Sequence, residues 1–355
     1  MPLNYLGRKK KLGQFLKDAV SETTGWKTGE GRVFFDVFAG TGTVGLEFKE
    51  SGFRIVANDI QYYAYCINRA LIGLNRQPTF SRLVNKLPSF NLPPKETVLR
   101  FLNLLQGKDG FVFKNYCMGG GKESARLYFS DENGRKCDSI RARIESWRQE
   151  GYLKEGEYFY LVTSLLVAAD QVANTAAVYA AFLKKLKRTA SRSIQLKSLE
   201  IKGAKGTHRV HQKNGADLVS RVPCDVLYMD PPYNQRQYCT NYHVLETIAK
   251  YDDPTVQGIT GLRPYKGQKS DFCSKGKALG ALEVMVRRTR ARYVFLSYSS
   301  EGLMARRDIL DVMGSYGEVD VKTKRYPRFR ADVDGKNRKY KANSVTEFLF
   351  RLRKQ

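Results

Sequence analysis

The chain has 355 residues, of which 42% are hydrophobic and 12% aromatic, and this composition excludes a largely disordered protein. Its formal net charge of +26 indicates a polyanionic partner, with nucleic acid as the first candidate. The six cysteines form no C-x-x-C pair and the three histidines are not at ligand spacing, which argues against a metal site. The sequence shows no apolar membrane span and no signal segment, so we expect free thiols in a prokaryotic or phage-type cytoplasm.

The first predicted elements alternate between strand and helix. Residues 33–38 form a short apolar run that predicts a buried strand, and the glycines and threonines of 39–45 lead into a helix. Residues 54–58 predict a second strand, and 60–73 have a helical pattern. This alternation is typical of a parallel sheet in an α/β domain.

The loop after the first strand, DVFAGTGTVG, fits the pattern G-x-G-x-x-G with Gly40, Gly42 and Gly45. Glycine allows the backbone to approach a ligand closely, and Asp59, at the end of the next strand, can accept hydrogen bonds from ribose hydroxyls. NAD, FAD and S-adenosylmethionine all carry a ribose, so these residues alone leave the cofactor open. Asp36 favours S-adenosylmethionine, because a carboxylate can hold its positively charged methionine end but would repel a pyrophosphate.

The alternation stops after residue 76. Prolines and a run of glycines follow, and residues 157–187 then predict one long apolar helix. The alternation of strands and helices returns near residue 208. We therefore expect an α/β domain formed by residues 1–76 and 208–355, with residues 77–207 as an inserted, largely helical region.

The remaining elements complete the predicted sheet. Strands are predicted at 208–212, 224–229, 292–297, 318–326 and 346–352, with helices at 276–289 and 302–314. A basic loop joins the last two strands, which suits an antiparallel pair at one edge of the sheet. The expected fold is therefore a mostly parallel sheet with an antiparallel last strand.

The strand predicted at 224–229 ends in Asp230-Pro231-Pro232-Tyr233, within DVLYMDPPYNQRQY, and ligands bind at such carboxyl ends of parallel strands. The exocyclic amine of adenine is a poor nucleophile, because its lone pair is delocalised into the ring. A carboxylate and a backbone carbonyl that accept hydrogen bonds from its two N–H groups would direct that lone pair at a sulfonium methyl group. The prolines stiffen the loop, and the tyrosine ring offers a face for a base that has been flipped out of the duplex.

With these motifs in this order, the chain resembles the D12-class (Dam-like) DNA adenine-N6 methyltransferases with the α-type motif order. Asp230–Tyr233 match the family's catalytic D-P-P-Y, and Asp36-Val-Phe38-Ala-Gly40-Thr-Gly42 match its cofactor loop. The resemblance implies a Rossmann-like class I methyltransferase sheet, S-adenosyl-L-methionine as cofactor, and DNA target recognition by the inserted region at 77–207.

The resemblance also implies further contacts to the cofactor. NYLGRKKKL resembles the family's leading motif and implies that Tyr5, Gly7 and Lys9 surround the methionine end and the catalytic pocket. NGADL implies that Asp217 lies at the cofactor's adenine. The full expected set of cofactor-binding residues is Tyr5, Gly7, Lys9, Asp36, Phe38, Gly40, Gly42, Asp59, Asp217 and Asp230.

Two basic segments are candidate DNA contacts, since most protein–DNA hydrogen bonds go to the phosphate backbone. Residues 184–213 contain ten Lys or Arg against one acid, and residues 321–355 contain twelve against three. Each segment can also be a solvated charged face. The expected DNA-binding residues are Lys184, Lys185, Arg188 and Arg192, with Arg236 and Gln237 at the mouth of the catalytic pocket.

The predicted function is site-specific methylation of adenine N6 in double-stranded DNA, with a cognate restriction endonuclease as a candidate partner. The alternatives are a methyltransferase that acts on N4 of cytosine or on adenine in RNA, a DNA-binding protein with a vestigial cofactor pocket, and an NAD oxidoreductase. D-P-P-Y instead of a serine-led motif favours adenine. The intact Asp230 and Tyr233 argue against a vestigial pocket.

Overall fold

The computed structural model describes residues 12–121, 125–327 and 344–355. Within these residues no helix combines the length and the apolar character that crossing a membrane requires. Tyr5, Gly7 and Lys9, predicted to contact the cofactor, lie outside the described residues.

Contacts divide the chain into two compact units. The helical unit comprises Arg69–Lys202 and Cys239–Tyr265, and the sheet unit comprises Gly203–Tyr238 and the described residues of Gly7–Asn68 and Lys266–Gln355. The helical unit therefore includes a second segment, Cys239–Tyr265, which the sequence had left in the α/β domain. That the helical unit recognises the DNA target stays a prediction.

The described part of the sheet unit contains one seven-stranded sheet. The strands in chain order are β1 (Val33–Asp36), β2 (Arg54–Asn58), β3 (Arg209–His211), β4 (Val226–Met229), β5 (Tyr293–Ser299), β6 (Gly317–Pro327) and β7 (Ser344–Lys354). Their order across the sheet is β3-β2-β1-β4-β5-β7-β6. The first five are mutually parallel, whereas β7 runs antiparallel to both β5 and β6. The predicted mostly parallel sheet with antiparallel last strands is confirmed.

Twelve α-helices fall within the described residues. In chain order they are α1 (Gly13–Thr24), α2 (Thr43–Glu50), α3 (Tyr62–Leu71), α4 (Pro94–Leu104), α5 (Phe111–Tyr116), α6 (Asp131–Gln149), α7 (Glu155–Gln171), α8 (Gly215–Leu218), α9 (Tyr238–Asn241), α10 (His243–Lys250), α11 (Ala278–Arg288) and α12 (Arg306–Gly314). Helices α4 to α7 belong to the helical unit and lie within residues 77–207, whereas α10 belongs to the same unit and lies outside that range.

The central strands are apolar on both sides because helices cover both faces of the sheet. On one face, Phe35 of β1 and Leu227 of β4 share a core with Met285 of α11. On the other face, the ring of Phe34 stacks on Phe48 of α2 with the ring centroids 4.0 Å apart. Because β1, β2 and β4 are parallel neighbours, their carboxyl ends lie at the same end of the sheet, beside the point where the strand order reverses.

The long helix predicted at 157–187 is wrong beyond Gln171, where α7 ends. The side chain of Asn174 donates hydrogen bonds to the carbonyls of Leu127 and Leu183 and accepts one from the backbone N–H of Lys187. These bonds fix an irregular segment. Val172, Ala173 and Tyr179 of this segment are buried in the helical unit, so its apolar pattern resembles that of a helix without forming one.

Candidate active site

Three carboxylates lie at the ends of three neighbouring strands. Asp36 is the last residue of β1, Asp59 follows β2, and Asp230 follows β4. In the sheet β1 lies between β2 and β4, and the charges of Asp230 and Asp59 both act on Asp36. The structure therefore brings together three acids that the sequence analysis had assigned to cofactor binding, one of which, Asp230, it had also assigned to catalysis.

The glycine loop is held in shape by hydrogen bonds to Asp59. Gly40 and Gly42 have φ angles of 51° and 76°, in the left-handed region that favours glycine. The backbone N–H of Gly40 donates to Oδ2 of Asp59 (2.9 Å), and that of Gln61 donates to Oδ1 (2.9 Å). Both carboxylate oxygens of Asp59 are thus oriented by the backbone, beside the turn that leads into α2.

Two asparagines that the sequence analysis did not identify complete this loop. The buried amide of Asn68, on α3, donates to the carbonyls of Gly40 and Ala64, both at 2.8 Å. Asn58, the last residue of β2, donates to the carbonyls of Val37 and Lys213 (both 3.1 Å). A buried amide at the end of an apolar strand is a weak sign of such a role, because its partners are set only by the tertiary fold.

Asp36 is the most buried of the three acids, with 1% of its surface exposed. It accepts hydrogen bonds from the backbone N–H groups of Phe38 and Gly45, while its Oδ1 has no hydrogen-bond partner among the described residues. Burial, followed by the charges of Asp230 and Asp59, raises the pKa of Asp36 well above its usual value. A buried acid with one oxygen that lacks a hydrogen-bond partner fits a ligand that brings a positive charge or N–H donors.

Two other predicted cofactor contacts lie at the same edge of the sheet. Phe38, two residues after the end of β1, is half-buried and meets Phe272 edge to face, with the ring centroids 5.4 Å apart. Asp217 is exposed on α8, which begins where the side chain of Asn214 accepts a hydrogen bond from the backbone N–H of Ala216 (3.0 Å). Phe38 therefore lies in the loop after β1, and Asp217 lies on the short helix that follows β3.

The catalytic loop, residues 230–237, begins directly after the fully buried strand β4. Pro231 is buried, whereas Asp230, Pro232 and Tyr233 are half-buried. The carbonyl of Tyr233 accepts a hydrogen bond from the backbone N–H of Leu303 (3.0 Å), and its ring packs on the core that also contains Phe35. The ring is therefore supported by the core, while Tyr233 as a whole stays half-buried.

The second half of the catalytic loop is fixed by its own polar residues. Gln237 donates to the carbonyl of Ser270 (3.1 Å) and accepts from its backbone N–H (2.8 Å). The side chain of Asn234 accepts from the backbone N–H of Arg236 (3.0 Å), and the side chain of Arg236 is exposed. Of the two residues expected at the pocket mouth, Gln237 orients the loop and Arg236 faces solvent.

The predicted DNA contacts in the basic segment lie on the irregular chain after α7, in the helical unit. Buried Ala190, Ile194 and Leu196 fix this segment. The exposed cations between and before them are Lys184, Lys185, Arg188 and Arg192.

The fold and this site define a class of protein: a Rossmann-like methyltransferase, with a glycine loop after β1, an acid after β2 and D-P-P-Y after β4. The chain belongs to the D12 class of N6-adenine-specific DNA methyltransferases, whose family profile matches residues 5–309. It is therefore an adenine-specific DNA methyltransferase, as the motifs predicted.

Curated relatives support this membership. The chain is 41% identical over 354 residues to the type II methyltransferase M.NlaIII of Neisseria lactamica, with 99% of each protein covered. It is 32% identical over 349 residues to M.CviAII of Paramecium bursaria Chlorella virus 1, covering 98% of this chain and 97% of the relative. M.FokI of Planomicrobium okeanokoites is 32% identical over 358 residues, which are 99% of this chain and 53% of that relative, so the chain spans about half of M.FokI.

Proposed function

We propose that the protein transfers a methyl group from S-adenosyl-L-methionine to the exocyclic N6 of an adenine flipped out of double-stranded DNA. The observation that carries the proposal is the meeting of Asp36, Asp59 and Asp230 at the carboxyl ends of neighbouring strands, where the buried Oδ1 of Asp36 has no hydrogen-bond partner among the described residues. A cluster of carboxylates repels the phosphates of NAD or FAD but fits a cofactor that carries a sulfonium and an ammonium group.

The chain's own residues suggest how such a cofactor would be held. Asp36 would face the positive charge, and Asp59, already oriented by two backbone N–H groups, would accept from the ribose hydroxyls. Phe38 and Asp217 would contact its adenine end. Bound in this way, the cofactor supplies an electrophilic methyl group on sulfur.

The catalytic loop would prepare the acceptor nitrogen. The carboxylate of Asp230 and the carbonyl of Pro231 would accept hydrogen bonds from the two N–H groups of the adenine amine and so orient its lone pair. The ring of Tyr233 is supported by the core and would stack on the flipped base. Pro232 would restrict the loop, because proline fixes φ and removes a backbone donor.

The helical unit is our candidate for DNA target recognition. Its exposed Lys184, Lys185, Arg188 and Arg192 would contact phosphates, which give affinity without sequence specificity. Arg236 would contact DNA from the catalytic loop. The relatives M.NlaIII, M.FokI and M.CviAII are type II methyltransferases by name, which supports a role in restriction–modification with a cognate endonuclease.

Methylation of duplex DNA by the purified protein tests the proposal. Incubation with labelled cofactor and mixed duplex DNA, followed by digestion to nucleosides, should yield N6-methyladenine. Methylome sequencing of a bacterium that expresses the protein should show one modified sequence. An RNA acceptor and a cytosine-only DNA are compared at matched salt, because salt strongly changes such binding. N4-methylcytosine, or methylation of RNA alone, would contradict the proposal.

The phosphate contacts have a separate test in the salt dependence of DNA binding. The Lys184→Ala/Lys185→Ala double variant should lower the slope of log affinity against log salt by about 2 on B-DNA, because one counterion is released per phosphate contact. The decrease should be equal on target and non-target duplexes. An unchanged slope would remove these two lysines from the proposed contacts.

A further inference from the structure

Four exposed arginines follow one another closely on the surface of the sheet unit. Glu283, just before them on α11, accepts a hydrogen bond from the hydroxyl of Tyr316 (3.2 Å), and residues 284–300 contain no acid. No carboxylate of this stretch therefore offsets their charge. We call these four side chains, two at the end of α11 and two in the loop that leads into β5, the arginine ridge: Arg287, Arg288, Arg290 and Arg292.

The backbone that carries the arginine ridge is fixed by hydrogen bonds. Lys354, half-buried on β7, donates from Nζ to the carbonyls of Arg287 (3.1 Å) and Thr289 (2.7 Å). The backbone N–H of Lys354 donates to the carbonyl of Arg292 (2.9 Å). Thr289 is buried, and its hydroxyl accepts from the backbone N–H of Ala291 (3.1 Å). The end of α11 and the loop after it are thus held in one conformation, with the four arginines pointing into solvent.

Lys354 also changes the charge at the end of α11. The last carbonyls of a helix carry a partial negative charge, which repels a phosphate. Here the ammonium group of Lys354 donates to three carbonyl oxygens at the helix end, those of Val286, Arg287 and Thr289. The helix end is therefore neutralised from within the protein, and it does not weaken the attraction of the ridge for an anion.

The guanidinium groups of the ridge are left without acidic partners. Among the described residues none of the four forms an ion pair. Arg288 donates from Nη1 to the carbonyl of Ala216 (3.4 Å), and the guanidinium of Arg292 lies 5.6 Å from the ring centroid of Tyr293. Neither contact removes positive charge. Four like charges so close together repel one another, and an anionic partner would relieve that repulsion.

The ridge lies at the end of the sheet opposite the three carboxylates. β5 begins at Tyr293, directly after the ridge, and runs parallel to β4 and β1. Asp36 and Asp230 lie at the other, carboxyl ends of β1 and β4. The four residues of β4 separate the two ends by about 13 Å. When an adenine is at Asp230, the phosphates beside it are therefore at the far end of the sheet from the ridge.

The chemistry of the ridge fits phosphates. A guanidinium group is always charged, and its planar array of N–H donors matches the oxygens of a phosphate. Several such groups on a fixed backbone fit a polymer that repeats its phosphates at short intervals. The protein is a DNA methyltransferase with a formal net charge of +26, so DNA is the phosphate polymer that it meets in its reaction.

We propose that the arginine ridge binds the phosphates of a second DNA duplex while a first duplex occupies the active site. These contacts would be independent of sequence, because phosphates carry no base identity. The inference goes beyond the proposed function, since methyl transfer itself needs one duplex only. A protein held on a second segment can move to that segment without first dissociating from DNA, which shortens the search for target sites.

The test measures the binding of a second duplex to the full-length protein. The protein is mixed one to one with a short duplex that contains the sequence methylated by the wild type, in the presence of S-adenosyl-L-homocysteine. A fluorescent non-target duplex is then titrated at several salt concentrations, and its anisotropy is recorded. The ridge variant is Arg287→Gln/Arg290→Gln. The matched control, Arg306→Gln/Arg307→Gln, removes two exposed arginines from α12, which follows the carboxyl end of β5. Thermal melting checks that each variant is folded.

The wild type should bind the second duplex, and the ridge variant should bind it about tenfold more weakly or worse at low salt. The slope of log affinity against log salt for this duplex should fall by about 2, because two phosphate contacts are lost. Affinity for the first duplex, and methylation of a short duplex, should stay within about twofold of wild type, because the ridge lies away from the active site. The control should bind the second duplex as the wild type does.

The proposal is overturned if the wild type binds one duplex only, or if the ridge variant binds the second duplex as tightly as the wild type. Equal weakening of both duplexes would also overturn it, because it would indicate one continuous DNA surface. Displacement of the second duplex by polyglutamate at equal charge concentration would indicate an acidic protein as the partner and would overturn it as well. The formation of N6-methyladenine is measured separately, so the proposed function can fail without the ridge, and the ridge without the proposed function.

Discussion

The cofactor loop, residues 36–45, and the catalytic loop, residues 230–237, both follow central strands of the same sheet, but the chain fixes them in different ways. The cofactor loop is held by buried side chains, with Asn68 and Asp59 bonded to the two sides of Gly40. The catalytic loop depends on its prolines and on bonds at its outer end, such as those of Gln237.

The difference reflects the two ligands we propose. A small cofactor can be enclosed, so its loop is shaped by buried groups before binding. A flipped base arrives attached to a duplex, so the side chains that meet it must stay accessible on a loop whose backbone is fixed. Mutations in the cofactor loop should therefore affect cofactor affinity and stability together, whereas mutations in the catalytic loop should affect turnover or the KM for DNA with little change in stability.

The largest effect is expected from Asp230→Ala. Without this carboxylate the adenine amine loses the acceptor that orients its lone pair, and single-turnover methyl transfer should fall by roughly 10³-fold or more. Duplex affinity in a gel-shift assay and the melting temperature should stay close to wild type, because Asp230 lies half-buried at the surface of the fold. Asp308→Ala removes an exposed acid on α12 and serves as the control. Turnover within tenfold of wild type would contradict the assigned role.

A smaller effect, on binding, is expected from Asp36→Asn. The asparagine can still accept from the N–H groups of Phe38 and Gly45, but it cannot carry the negative charge that would face the cofactor. Loss of one partner of a buried charge pair should weaken cofactor affinity by about 10²-fold. Isothermal titration measures this directly. Unchanged affinity would show that Asp36 does not face the cofactor's positive charge.

The same substitution also predicts the direction in which the stability difference from wild type changes with pH. The pKa of Asp36 in the folded protein is raised above the usual 3.8, so the folded state holds a proton that the unfolded state has lost. The stability that this neutral carboxyl contributes is present below about 3.8 and is lost as the pH rises through the folded-state pKa. Asp36→Asn stays neutral, so its melting temperature without cofactor should match wild type near pH 4 and exceed it at pH 8. The reverse order would contradict the raised pKa.

Much of the sheet was predictable because buried parallel strands are short apolar runs with clear ends. The strand predicted at 54–58 is β2 to the residue. Helix α6 was not predicted, because its first half is polar: Asn133 and Asp138 are buried there and bond to other parts of the helical unit. The Ser130 cap and the acids that follow it were the available sign of a helix start.

The site shows the same limit. Asp36, Asp59 and Asp230 could be predicted, because each stands at a strand end within a motif whose chemistry is specific. Asn68 could not, because its role depends on a hydrogen bond to Gly40, 28 residues away, which only the packing of α3 creates. A local sequence pattern therefore predicts residues that contact a ligand more readily than it predicts residues that hold the ligand-binding loop in place.

Substitution of Tyr233 should have a moderate effect, and we expect it in DNA binding and not in cofactor binding. Tyr233→Ala should raise the KM for DNA by about tenfold, because stacking on a flipped base contributes about 1–3 kcal/mol. Tyr233→Phe keeps the ring and should lie within a few-fold of wild type. Affinity for the cofactor should not change in either variant. If Tyr233→Ala and Tyr233→Phe were equally impaired, the hydroxyl and not the ring face would be the important group.

The smallest effect on activity is expected from Asn68→Ala. This variant tests whether a buried hydrogen bond shapes the cofactor loop before the cofactor binds. The carbonyl of Gly40 would lose its buried donor, which should cost about 1–3 kcal/mol of stability and raise the KM for cofactor a few-fold as the loop loosens. Asn115→Ala is the matched control, because Asn115 also donates to the carbonyl four residues before it, that of Phe111, but reaches no ligand loop. Denaturant unfolding and cofactor titration of both variants separate the two effects. If both variants had the same KM, the Gly40 bond would be a contribution to folding alone, and the cofactor loop would be no more preformed than the catalytic loop.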